Sequence, residues 1–149
     1  MEVIKYDHLP QAAKRIRTQV FIDEQKFMVE FDETDAVCTH LVMFEGNSAA
    51  AVCRYFYSEE KGCYMIGRVA VDRAHRGKGF GAAMMLEAER FIGEDGGKCI
   101  AVSAQCRVRG FYERLGYKAA SDEYLDEYCP HILMKKKLKE PLNKSRPAD

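Results

Sequence analysis

Apolar residues near the amino terminus recur every three or four positions. The members of this stripe are Leu9, Ala12, Ala13, Ile16 and Val20. Their spacing predicts an amphipathic helix over about residues 9–21. Residues 2–5, just before it, have the pattern of a short strand. Residues 23–37, just after it, show no sustained period, so we expect an irregular connection that is partly helical.

Three runs rich in β-branched, aromatic and other apolar residues follow. They cover residues 39–45, 49–57 and 63–71. Gly46-Asn47-Ser48 separates the first run from the second, and Lys61-Gly62 separates the second from the third. Because a parallel crossover needs a much longer connection, these runs are expected to be antiparallel neighbours in one sheet.

The second half of the chain alternates between helix and strand patterns. Apolar residues at helical spacing predict a second helix over 81–92, which Gly96-Gly97 ends. The remaining predicted elements are a buried strand at 98–104, a short helix at 107–115, and a closing strand pair at 117–120 and 131–137 with an acidic loop between its strands. The pattern as a whole predicts a mixed α+β fold, with one domain over residues 1–138 and a flexible tail over 139–149.

Charge and cysteine content narrow the class of protein. Among 149 residues, Lys plus Arg and Asp plus Glu are both 23, so no overall charge draws the chain to nucleic acid or to an anionic membrane. The N-terminus lacks a secretory pattern, and no apolar run is long enough to span a membrane. None of the six cysteines forms a Cys-x-x-Cys pair. We therefore expect a cytoplasmic protein with free thiols and no metal site.

A basic, glycine-rich turn joins the third predicted strand to the second predicted helix. Its basic residues are Arg73, His75, Arg76 and Lys78, and its glycines are Gly77, Gly79 and Gly81. The first turn of a helix has unpaired amides and a partial positive charge, and both attract phosphate. Glycines let a phosphate approach the backbone closely. The turn therefore predicts a phosphate-binding cradle, with a solvated basic turn as the alternative.

Two other phosphate motifs fit this turn less well. Residues 77–82 formally match the dinucleotide fingerprint G-x-G-x-x-G/A, but three antiparallel strands precede them. About seventy residues follow, which is too few for two mononucleotide-binding halves. A P-loop requires Ser or Thr after Gly77-Lys78, and Gly79 stands there instead.

At this turn the sequence resembles the GNAT superfamily of N-acetyltransferases. Residues 76–81 fit its Arg/Gln-x-x-Gly-x-Gly/Ala signature, 68–71 are similar to its coenzyme-contacting strand, and 110–117 are similar to its Phe-Tyr-x-x-x-Gly-Phe/Tyr block. Three further segments, residues 20–25, 31–35 and 130–134, resemble bacterial ElaA-like and YjcF-like acetyltransferases, and the last also resembles glyphosate N-acetyltransferases. The chain departs from many members at 104–107, where it has no Asn.

The resemblance implies a mostly antiparallel mixed sheet that is splayed open at its middle, flanked by helices, with acetyl-CoA as cosubstrate in the splay. The pyrophosphate of the coenzyme would lie on the amides of the turn, and its pantetheine arm would pair with the strand before it. Family precedent implies no metal. The residues assigned to the coenzyme in this way are Val69, Ala70, Val71, Arg76, Gly77, Lys78, Gly79, Phe80, Gly81 and Tyr112.

Two side chains are the candidate catalytic residues. Tyr112 resembles the family's general acid, whose phenol can donate a proton to the leaving thiolate. His131 occupies the place of the base in glyphosate-type relatives, and a histidine side chain ordinarily titrates near neutral pH. The alternatives are that Tyr112 only packs its helix and that His131 is structural. Glu24 or Glu33 acting through water is a further alternative for the base.

The acceptor is expected to be a small amine. Arg17 and Arg68 resemble anion-binding positions of glyphosate-type relatives, whereas Gln105 replaces a third arginine. The predicted acceptor-binding residues are therefore Arg17, Glu24, Arg68 and Gln105. A carboxylate or phosphate on the acceptor would suit these positions, although both arginines could instead form ordinary ion pairs. A protein lysine or N-terminal acetyltransferase and a non-catalytic acyl-CoA sensor are the competing functions, and family habit allows a homodimer.

Overall fold

The apolar runs of the sequence form an eight-stranded mixed sheet. The computed structural model describes residues 1–139. The strands are β1 (Glu2–Tyr6), β2 (Thr39–Glu45), β3 (Ser48–Ser58), β4 (Cys63–Val71), β5 (Cys99–Gln105), β6 (Lys118–Ala119), β7 (Tyr124–Asp126) and β8 (Cys129–Lys137). Their order is β1-β2-β3-β4-β5-β8-β6, and β7 pairs with β8 outside this path. All neighbours are antiparallel except β4 and β5, which confirms the mixed, mostly antiparallel sheet.

Helices pack on both faces of this sheet. They are α1 (Gln11–Arg17), α2 (Phe80–Glu94) and α3 (Arg109–Arg114). Successive residues of a strand point to opposite faces. Leu41 and Met43 accordingly belong to the apolar cluster under α2, whereas Val42, between them, belongs to the cluster under α1. The predicted helix at 9–21 is observed as α1, continued by a π-helical turn over Thr18–Glu24. None of the helices over residues 1–139 has both the length and the apolar character needed to cross a membrane.

The sheet opens between its two parallel strands. β4 and β5 are paired only at Tyr64–Ile66 and Ile100–Val102, so the second half of β4 has no partner strand on that side. A bulge adds one residue to β4 between Gly67 and Ala70, opposite β3. Within the bulge Arg68 has a φ of 53°, a left-handed conformation that costs a non-glycine residue energy. The bulge changes the direction of β4, and a wedge-shaped gap separates its second half from β5.

Three features differ from the sequence predictions or lie beyond them. Residues 124–126 were expected in a loop but form β7, because they pair with β8 in a hairpin. The expectation that all six cysteines are free thiols is wrong, because Cys63 and Cys99 form a disulfide between the starts of β4 and β5. The other four cysteines are free. Nearly all of the predicted flexible tail, residues 140–149, lies outside the described residues.

Candidate active site

Two adjoining cavities open where β4 and β5 separate. The larger one, here called the main cavity, has a volume of about 1140 Å³. The smaller one, here called the groove, has a volume of about 770 Å³ and runs along the end of β4. The two share four lining residues, Gln25, Val69, Arg107 and Tyr128. A ligand in the groove can therefore extend into the main cavity.

The groove ends at the glycine-rich turn. Gly77 and Gly79 have φ angles of 80° and 78°, which side chains other than glycine rarely adopt. Helix α2 begins directly afterwards, and its first intrahelical hydrogen bond runs from the Ala83 amide to the Gly79 carbonyl at 3.1 Å. The amides of residues 80–82 therefore have no acceptor within the helix. The Phe80 side chain is buried in the core, so this residue can offer only its backbone to a ligand in the turn.

The basic side chains of the turn are already paired with carboxylates. Glu24 accepts hydrogen bonds from Arg76 at 2.6 and 3.2 Å and from Arg73 at 2.9 Å. These bonds lower the pKa of the Glu24 carboxyl group, and the bond from Arg76 has the largest effect. Lys78 donates to Glu45 at 3.1 Å. The sequence predicted basic side chains available to phosphate, but the structure shows Arg73, Arg76 and Lys78 in ion pairs with Glu24 and Glu45. It also puts Glu24 at the groove, not in the main cavity where an acceptor residue was expected.

The two predicted catalytic side chains both line the main cavity. Burial raises the pKa of Tyr112 to about 12, so its phenol keeps its proton at neutral pH. His131 is buried, and its Nδ1 lies 2.9 Å from the carbonyl oxygen of Cys129. A carbonyl oxygen can only accept, so Nδ1 carries the hydrogen and Nε2 of the neutral ring is an acceptor. Tyr124 stacks on the same ring at a centroid distance of 6.1 Å.

The predicted residue Gln105 lines the main cavity, and it bonds to two residues that line both cavities. Its Nε2 donates to Oε1 of Gln25 at 2.8 Å, and its Oε1 accepts from Nε of Arg107 at 2.8 Å. This bridge links β5 to the end of the π-helical turn across the open sheet. Gln25 and Arg107 were not predicted as site residues. The contact of Gln25 with Gln105 spans 80 positions, and no local pattern indicates it, whereas that of Arg107 spans only two.

Comparison with known proteins identifies the family. Residues 7–138 match the model of the acetyltransferase (GNAT) domain. The chain belongs to the GNAT acetyltransferase family. It is 32% identical over 129 residues to a candidate acetyltransferase of Bacillus subtilis, covering 83% of this chain and 86% of that protein. GNAT members use acyl-CoA, and the chain is accordingly an acyl-CoA-dependent N-acetyltransferase.

Solved structures confirm the GNAT fold. An acyl-CoA N-acyltransferase from Pseudomonas aeruginosa superposes with a TM-score of 0.80 at 28% identity, covering 91% of this chain and 98% of that chain. The crystal structure of Escherichia coli ElaA superposes with a TM-score of 0.78 at 24% identity, covering 91% of this chain and 98% of that one. ElaA is also a sequence relative, 26% identical over 128 residues, covering 83% of this chain and 84% of ElaA. The predicted ElaA-like resemblance is confirmed.

A hairpin closes the main cavity of this GNAT domain. The Glu127 carboxylate, on the β7–β8 turn, accepts hydrogen bonds from the amides of Met28 and Val29 at 2.9 and 3.0 Å. Tyr128 donates to the Gln25 carbonyl and stacks on Phe27 at a centroid distance of 5.4 Å. These contacts hold residues 25–29 against the hairpin. The sequence did not predict them, because they join segments about a hundred positions apart.

Below the main cavity of the GNAT domain lies a buried network of three arginines and three carboxylates. Arg17 donates to Glu30 at 2.8 Å and to Asp35 at 2.7 and 3.0 Å. Arg54 bonds to Asp32 and Asp35, and Arg68 pairs with Glu30 and Asp32. Arg17 is 1% exposed and does not line the cavity. This placement corrects the prediction that Arg17 binds an acceptor anion, because its charge is used inside the protein.

The network fixes the ionisation of its carboxylates. Burial opposes the ionisation of Asp35, but hydrogen bonds from Arg17, the Asp32 amide and Arg54 together hold its pKa well below the usual range. Burial raises the pKa of Glu30, although Arg68 and Arg17 oppose the rise. Asp35, Cys38 and His40 place potential metal-ligand atoms within 4.8 Å of one another. Two guanidinium groups on the Asp35 carboxylate disfavour a cation there.

Proposed function

We propose that this chain transfers the acetyl group of acetyl-CoA to a primary amine of a small molecule, by direct attack within a ternary complex. The observation that carries the proposal is the continuity of the two cavities. The groove is lined at one end by Val71 and Arg76, just before the glycines that lead into α2, and it opens into a cavity that contains both Tyr112 and His131. Such a path places a diphosphate at one end and the reacting groups at the other.

The coenzyme would be held mainly by backbone groups. Its pyrophosphate would lie on the amides of Gly77 to Gly81, where the helix N-terminus and the glycine conformations leave donors accessible. Its pantetheine arm would run along Val69 to Val71, the part of β4 that has no partner strand on the open side. Arg76 would have to move, because its Nε now donates to the Val71 carbonyl at 3.2 Å.

His131 would accept the proton of the attacking amine. An amine attacks the thioester carbonyl only with a free lone pair, so a proton has to leave the nitrogen before or during attack. The bond from Nδ1 to the Cys129 carbonyl leaves Nε2 as the acceptor of the neutral ring. Packing by Tyr124 and Phe27 holds the ring in place. A bound and oriented base contributes more than the same group in solution.

Tyr112 would act on the sulfur side. As the nitrogen–carbon bond forms and the carbon–sulfur bond breaks, negative charge develops on the coenzyme sulfur. A phenol that keeps its proton, as the pKa of about 12 for Tyr112 ensures, can donate a hydrogen bond or a proton to that sulfur. Its position on the wall of the main cavity, into which the groove opens, supports this role.

We expect Glu24→Gln to tighten coenzyme A binding by about two- to fivefold. Glu24 occupies the guanidinium groups of Arg73 and Arg76, which a phosphate would otherwise contact. Exposed ion pairs of this kind contribute roughly 0–1 kcal/mol, so removing the competing carboxylate has a modest effect. Isothermal titration calorimetry with coenzyme A measures it. The matched control is Glu87→Gln, which breaks an exposed pair with Arg90 on α2. Weaker binding by Glu24→Gln alone would show that Glu24 positions the arginines and does not compete.

The proposed reaction is tested by acetyl-CoA turnover. Free thiol released from acetyl-CoA is followed with a library of primary amines and with basic lysine peptides, after calorimetry has shown that the coenzyme binds. Amine-dependent thiol release supports the proposal, and mass spectrometry identifies the acetylated product. Release with peptides but with none of the small amines would replace it with protein acetylation. Coenzyme binding without any turnover would leave only a sensing role.

A further inference from the structure

The charges on the wall of the main cavity balance once the buried network beneath it is counted. The wall carries three basic side chains, Lys26, Arg68 and Arg107, and four acidic ones, Glu30, Asp32, Asp126 and Glu127. Glu30 and Asp32 also bond to Arg17 and Arg54 of the network, whose three arginines and three carboxylates cancel. Arg68 therefore offers no free charge to an anionic substituent, although it lines the cavity.

Arg68 is the basic group deepest in the cavity, and it is committed to carboxylates. Its Nε lies 3.2 Å from Oε2 of Glu30 and donates to the Glu30 carbonyl at 3.1 Å. One of its terminal nitrogens donates to Asp32 at 3.3 Å. An acceptor carboxylate at Arg68 would have to displace Asp32 or share the guanidinium with it, and the like charges would repel each other.

The other two cations stand at the rim. Lys26 and Arg107 are exposed, and Arg107 also donates to Gln105. Water and dissolved salt screen such groups strongly, and the carboxylate of Asp126 lies on the same wall. The rim therefore offers weak attraction to an anionic substituent.

Much of the remaining wall is apolar, although Gln25, Ser103 and Gln105 also line it. Four of its side chains are aromatic, namely Phe21, Phe27, Tyr112 and Tyr128. Phe27 is buried against His131 at a centroid distance of 6.3 Å, so an apolar substituent would lie beside the base. Apolar contact stabilises a bound hydrocarbon by about 25 cal/mol for each Å² removed from water, and aromatic faces also attract ammonium groups.

From this charge balance and this wall we infer that the acceptor is a primary amine on an apolar, preferably aromatic, body with no carboxylate or phosphate. The inference rests on the proposed function and replaces the anionic acceptor that Arg17 and Arg68 indicated in the sequence. The bound ammonium group gives up a proton, and the neutral amine then attacks beside His131. The hydrocarbon body is held by Phe27, Tyr128 and their neighbours.

Matched amine pairs test this inference. The pairs are 2-phenylethylamine against phenylalanine and hexylamine against 6-aminohexanoate, so that each pair differs by one carboxylate. The measured quantity is kcat/KM from thiol release at saturating acetyl-CoA. We expect the member without a carboxylate to exceed its partner by about tenfold or more, because the added carboxylate finds Arg68 already paired and otherwise only the exposed Lys26 and Arg107.

A charge variant adds an internal check. Asp32→Asn removes one carboxylate from the contact with Arg68, so Arg68 becomes more available to an anion. The ratio of kcat/KM for hexylamine to that for 6-aminohexanoate should therefore fall several-fold. Asp23→Asn, an exposed carboxylate outside the main cavity, is the control and should leave the ratio unchanged. Equal or higher kcat/KM for the carboxylates in the unaltered enzyme overturns the inference and leaves acetyl transfer intact. If coenzyme A binds but no amine is acetylated, both the inference and the proposed function are wrong.

Discussion

Replacing His131 with alanine is expected to lower kcat by about 10²- to 10⁴-fold, the usual contribution of a positioned general base. The reason is the tautomer that the backbone imposes. The Cys129 carbonyl holds the hydrogen on Nδ1, so Nε2 can take the proton that the amine must lose. The loss should appear in kcat at saturating amine and acetyl-CoA, measured by thiol release.

Two measurements separate this role from a structural one. Coenzyme A binding by His131→Ala, measured by calorimetry, should remain close to that of the unaltered protein, since His131 does not line the groove. Added imidazole should restore part of the activity by entering the space left by the ring. The control is His8→Ala, an exposed histidine outside both cavities. A variant that keeps most of its kcat would remove His131 from the mechanism.

The second large effect is on stability. Arg17→Met is expected to lower the free energy of unfolding by about 3–5 kcal/mol, the usual cost of removing one partner from a buried ion pair. Arg17 is 1% exposed and bonds both Glu30 and Asp35, so its loss leaves two buried carboxylates with fewer partners. Methionine fills similar space and keeps cavity formation small. Urea unfolding followed by circular dichroism measures the difference.

The matched control for Arg17→Met is Arg90→Met on the exposed face of α2. Arg90 also pairs with two carboxylates, Glu87 and Glu94, but it is half-exposed, and its loss should cost about 1 kcal/mol or less. The double variant Arg17→Met/Glu30→Gln should recover part of the lost stability, because it removes one of the stranded charges. If Arg17→Met and Arg90→Met lowered the free energy of unfolding by similar amounts, the buried network would be of little importance to stability.

The sequence by itself determined the elements and the turn that begins the groove. Alternation of apolar residues is a local property, and it placed β2 at 39–45 and β4 at 63–71, the bounds that the structure shows. The glycines at 77 and 79 likewise reflect a local requirement, because their backbone conformation excludes most side chains. The splayed sheet was predicted only from the GNAT resemblance, because no local pattern of residues specifies it.

The tertiary structure alone decided which charges are free. The sequence shows Arg17, Arg68 and Arg76 as cations, and only the fold shows that each is paired with a carboxylate. Glu30 pairs with Arg17 across 13 positions, Asp32 with Arg68 across 36, and Glu24 with Arg76 across 52. It likewise decided the Cys63–Cys99 bond and the hairpin that closes the main cavity. The physical reason is that a charge or thiol acts through its nearest neighbours in space. Those neighbours depend on how the sheet brings distant strands together, whereas helix and strand periodicity depends only on neighbours along the chain.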